Sequence, residues 1–125
     1  MTPRVFLAAA LLAAASAHAA LPIVQSGRWV LKSKVNGTPH EATLCGNPLD
    51  RVAQAIAAAR ARQQSGCVVT VREPVPRSMS VVVECPGREK TELTVNAASM
   101  QSVMIDFRRG GHHENIDAER VGACE

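Results

Sequence analysis

Apolar and polar positions alternate loosely at first, with Trp29, Leu31 and Val35 on one parity through Gly27–Val35, and Asn36-Gly37 follows. Period-two spacing marks a strand with one buried face. Asn-Gly between two such runs is a strong hairpin signal, because both central residues of the tight turn need positive φ. With these two residues in the turn, Val35 falls opposite Thr38 and the register runs back to Trp29 opposite Leu44. One face then gathers Trp29, Leu31 and Val35 against Leu44 and Ala42, while Lys32 meets Glu41 on the other. A slip of one residue would turn every apolar side chain to the wrong face, so this agreement specifies the register.

The period then changes. Asn47-Pro48-Leu49-Asp50 has the order of a helix start: Asn as N-cap, Pro at the first helical position and an acid in the first turn. The pattern predicts a helix from there to about Gln64, ended by Gly66. Leu49, Val52, Ala53 and Ile56 form its expected buried stripe, with Arg51, Arg60 and Arg62 outward.

Period two returns in Cys67–Arg72 and Met79–Cys85, which flank Pro74-Val75-Pro76. A hairpin centred on that loop sets Val71 opposite Val81, Val69 opposite Val83 and Cys67 opposite Cys85. Thr91, Leu93 and Val95 alternate with polar residues, Asn96 to Gln101 read as a loop, and Val103, Ile105 and Phe107 form the inner face of the next strand. Gly110-Gly111 turns into a last strand containing Ile116. Short connections favour an antiparallel meander. The predicted fold is mainly β: an antiparallel meander or partial barrel, with one helix packed on or closing the sheet, and two disulfides.

The N-terminus changes the picture of where this domain works. Arg4 precedes an apolar run from Val5 to Ala15, and Ala17-His18-Ala19 has the small-x-small form of a cleavage site. That is the layout of a secretory signal, and the run falls short of the roughly 20 residues that span a bilayer. The expectation is a signal peptide over 1–19, cleavage near Ala19/Ala20, and a single periplasmic or secreted domain over 20–125 that is not an integral membrane protein.

Four cysteines, Cys45, Cys67, Cys85 and Cys124, lie beyond that segment. An even number in an oxidising compartment reads as disulfides, and no pair has the close spacing that zinc sites favour. Four cysteines permit three connectivities. The second hairpin selects Cys67–Cys85, which leaves Cys45–Cys124 by elimination.

Net charge is only +3, and beyond the signal the aromatic residues are Trp29 and Phe107, with no Tyr. Single-stranded nucleic acid is held by stacking platforms among basic residues, so nucleic acid is not an expected partner.

Gly27-Arg28-Trp29 opening the first strand, Cys45 after the second, the paired central cysteines and the closing Gly122-Ala123-Cys124 resemble a family of small secreted proteobacterial proteins. It is classed as the domain-of-unknown-function family numbered 3617. The resemblance implies a periplasmic or secreted β-rich domain and carries over no catalytic residue.

Candidate chemistry is sparse. His112, His113 and Glu114, with Asp117 nearby, are the residue types that ligate zinc or copper. On a strand, however, His112 and His113 point to opposite faces, and a solvated strand start after Gly110-Gly111 is the plainer reading. His40, opposite Ser33, falls on the face of Trp29 and Leu31, at the rim of that face or at the mouth of a pocket. Trp29, Leu31, His40 and Phe107 are the residues expected around such a pocket. There is no nucleophile elbow and no phosphate-cradling glycine loop. Arg60, Arg62, Arg108 and Arg109 read as a solvated face more than as a basic patch. The sequence therefore points to a non-enzymatic binding or interaction module without cofactor, its partner a small apolar ligand or an envelope protein. The rival readings are a small metal-dependent hydrolase built on the histidine cluster and a purely structural envelope protein.

Overall fold

A computed structural model describes residues 21–125, so the expected signal peptide and its cleavage point lie outside the described residues. The elements follow as β1 (Gly27–Val35), β2 (Thr38–Gly46), α1 (Asp50–Ala61), β3 (Val68–Arg72), β4 (Ser78–Glu84), β5 (Thr91–Ser99), β6 (Ser102–Arg109) and β7 (His112–Gly122). The strands form one antiparallel sheet in the order β2-β1-β7-β6-β5-β4-β3, which does not close. No helix among the described residues is long and apolar enough to cross a membrane.

Both expected hairpins have the register the alternation dictates. Trp29 faces Leu44, Lys32 faces Glu41 and Ser33 faces His40, with Asn36 and Gly37 at φ 49° and 86° in the turn. Val69 faces Val83 and Val71 faces Val81. Just beyond that ladder Cys67 and Cys85 are bonded, their Cα atoms 4.2 Å apart, and Cys45 is bonded to Cys124. From β3 to β7 the chain is the expected meander. β7 then returns to lie beside β1, with Leu31 opposite Ala118 and Ser33 opposite Ile116. This last pairing leaves β2 and β3 as the two edges of the sheet. The segment joining them, which contains α1, has to cross a face to get from one margin to the other.

The face it crosses carries the core. Trp29, Val95, Val103 and Ala118 are essentially inaccessible to water, and Ile105, Leu49 and Val52 are buried with them. Burying a side chain of the Val or Leu kind contributes about 1.5–3 kcal/mol. The short segment before β1, which has no periodicity, joins the same core: Val24 is buried and the Gln25 N–H donates to the Met100 carbonyl at 2.8 Å. The buried indole of Trp29 donates to the Gln25 carbonyl at 3.0 Å, so its one polar atom is satisfied. Gly27 is needed beside it. A Cβ there would meet the side chain of Arg120 and the carbonyl oxygen of Gly122.

Four expectations need correction. The helix begins at Asp50, because the Asn47 side chain accepts from the Leu49 N–H at 2.9 Å and spends itself on a turn containing Pro48. It also ends at Ala61, where Arg62–Ser65 tighten into a 3₁₀ turn that Gly66 stops at φ 92°. Its inward stripe is Val52, the half-buried Ile56 and Ala59, at i, i+4 and i+7, so Ala53, about 100° round from Val52, is exposed. Finally, Asn96 to Ser99 are not loop but the end of β5. Asn96 pairs with Met104 and Ala97 with Val103 before a bulge, since burial of Ala97 in the core outweighs the weak strand preference of these residues.

Candidate functional site

Where α1 crosses the inner face it does not close down on it. Its cleft-facing side carries Ala55, Ala58 and Ala59, and side chains this short leave an open cleft of about 390 Å³ between helix and sheet. Ile56 and Val52 project into one wall. The opposite wall is Val81 and Val83 of β4, Leu93 of β5, Phe107 of β6 and Ile116 of β7. Strand alternation accounts for that wall: Val81 faces Leu93, Leu93 faces Phe107, and each lies on the core side of its strand. The charged residues that line the cleft are Arg51, Arg62, Arg109 and Glu114, with Glu114 paired beside Phe107. Pockets for small molecules commonly run from about 300 to 1,000 Å³, mostly apolar with a few polar groups, so this one is at the compact end.

Of the residues expected around a pocket, Phe107 alone lines this cleft. Trp29 is sealed in the core, and Leu31 packs half-buried against it. His40 is exposed and borders a different feature, an open depression beside Lys32, Lys34, His113 and Asp117. The wall residues Val81, Leu93 and Ile116 were visible in the sequence as inward strand positions. What the sequence did not signal was the helix wall, since an alanine run is read as helix propensity and not as missing volume.

The histidine cluster is divided by the pleat. His112 and Glu114 share the inner face of β7, where His112 meets Phe107 edge-on with ring centroids 6.0 Å apart. His113 and Asp117 share the outer face. Among the described residues no group of three or more His, Cys, Asp or Glu side chains converges to hold a metal ion. His113 belongs instead to a polar network on the outer face, its Nε2 2.9 Å from Asp106 Oδ2. Asn115 donates to the same oxygen at 3.3 Å, and Arg108 donates to Oδ1 at 3.3 Å. Partial burial by itself would raise the Asp106 carboxyl pKa. The hydrogen bonds from His113, Asn115 and Arg108 outweigh it and hold the group below the usual carboxylate value.

Comparison of the chain with protein-family models, curated proteins and solved structures returns no match.

Proposed function

We propose that this protein is a non-enzymatic binding module of the bacterial envelope or the secreted fraction, and that it holds a small apolar ligand between α1 and the inner face of its sheet. The observation that carries this reading is the cleft itself. A helix that served only to cover the sheet would bring large side chains down onto it, as interiors are close-packed. Here the helix presents Ala55, Ala58 and Ala59 beside Val52 and Ile56 and leaves about 390 Å³ lined by valine, leucine, isoleucine and phenylalanine. Each methylene of a ligand buried there gains about 0.8 kcal/mol. The compartment belongs to the same proposal. It rests on the signal-like N-terminus together with two disulfides, which persist in oxidising environments. Membership of the family numbered 3617 is part of it too, supported by the Gly27-Arg28-Trp29 and cysteine pattern.

The test is to fill the cleft from the helix side. Ala55 and Ala58 are exposed to the open cleft, so Ala55→Phe/Ala58→Phe adds bulk without displacing a buried group. The neutral fluorophore N-phenyl-1-naphthylamine should brighten with the native protein and stay dark with the filled variant, whose melting temperature is unchanged or higher. Equal brightening in both proteins, or none with the native one, would overturn the reading.

A further inference from the structure

The cleft lining is mainly apolar, and its charged residues are mainly cationic. Three arginines line it against one glutamate, and the register shows where two of them lie. Val68 pairs with Glu84, Val83 with Thr91, and Thr91 with Arg109. The start of β3, the end of β4, the start of β5 and the end of β6 are therefore at one end of the sheet. The helix runs towards that same end, since Arg62 precedes β3 by only a few residues. Arg62 and Arg109 thus guard one mouth of the cleft. Three other arginines are engaged by the fold: Arg108 is paired with Asp106, Arg120 Nε donates to the Ser26 carbonyl at 2.9 Å, and Arg77 Nε donates to the Ala97 carbonyl at 3.2 Å. Neither Arg62 nor Arg109 has an ion-pair partner among the described residues. Two guanidinium groups at the end of a greasy slot match a ligand with an anionic head and an alkyl tail, because the planar fork of arginine binds carboxylate or phosphate oxygens in pairs. The volume of about 390 Å³ corresponds to roughly thirteen groups of water size at ~30 Å³ each, enough for one chain and not two.

Building on the cleft as a binding site, we infer that its occupant is a single-chain amphiphile with an anionic head, carboxylate or phosphate. The tail lies between α1 and strands β4 to β7, and the head is held by Arg62 and Arg109. Glu114, the one acid lining the cleft, opposes that head and limits its affinity.

The experiment is calorimetric titration of the full disulfide-bonded chain with decanoate, decyl phosphate and decan-1-ol, each below its micellar concentration. At least one anionic probe should bind about tenfold or more tightly than the alcohol, and the tighter of the two identifies the head. Arg62→Ala and Arg109→Ala should each weaken the anionic probe roughly tenfold, the scale of one charge-assisted hydrogen bond, and leave the alcohol unchanged. Glu114→Gln should tighten it, and Arg72→Ala, on the other face of β3, should have no effect. Raised salt should weaken the anionic probe alone. Equal binding of acid and alcohol, insensitive to the arginine variants, would overturn the head assignment and leave the apolar cleft standing. Failure of all three probes to bind would overturn both.

Discussion

Asp106 shows how much a single side chain depends on what the fold brings beside it. In sequence it is one polar position in a strand, yet three donors from β6 and β7 converge on its carboxylate. A folded-state pKa held below the ordinary carboxyl value, about 3.9, means that the network adds stability fully present above that value. The contribution is lost as pH falls through the lowered folded-state pKa. Thermal melts of the native protein and of Asp106→Asn should therefore differ at pH 5, by a gap that narrows below about pH 4. A gap that stayed the same into the acid range would mean that the carboxylate contributes nothing through its charge. Trp29 is the opposite case. Its place in the core follows from the face it shares with Leu31 and Leu44, all read directly from alternation.

At the scale of elements the two disulfides differ in what they constrain. Cys67–Cys85 closes a loop of sequence separation 18 around a hairpin that its own register already specifies. Cys45–Cys124 spans a separation of 79 and ties the end of β2 to the C-terminus. In the chain-entropy account the longer loop removes more freedom from the unfolded state, by about 1 kcal/mol for this pair of lengths. Urea unfolding of Cys45→Ser/Cys124→Ser should accordingly show the larger loss, and Cys67→Ser/Cys85→Ser the smaller. The reverse order would indicate that local strain or residual structure in the unfolded chain dominates. The helix limits were the least legible feature at this scale. Asn47 and Pro48 suit either a cap or a turn, and only the position of Leu49 under the core decides between them.

Across the whole molecule stability is unevenly spread. The central strands β1, β7, β6 and β5 are each paired on both sides and carry the sealed core, whereas α1 contributes only Val52 and Ala59 as buried residues and stands over an open cleft. Native-state hydrogen exchange should find the amides of α1 opening at a lower free energy than those of β5 and β6. Saturation with a cleft ligand should slow exchange in α1 more than in β1. Uniform protection across helix and sheet would imply that the helix opens only with the whole domain. The same unevenness suits a binding site, since the element that frames the cleft is the one least committed to the core.

What the sequence determined by itself is local: the two hairpins and their registers, most inward residues of the strands, the helix between them and, through the second hairpin, the disulfide pattern. These follow from short-range rules, the two-residue period of a strand and the φ demands of Asn36-Gly37, which act between neighbours in the chain. Only the tertiary structure decided that β7 pairs with β1, that β2 and β3 become the edges, and that α1 must therefore cross the inner face. It also gathered Arg62, Arg109 and the alanines of α1 around one cleft. Those outcomes depend on distances between segments far apart in sequence and on volume left unfilled. An empty space has no residue to announce it.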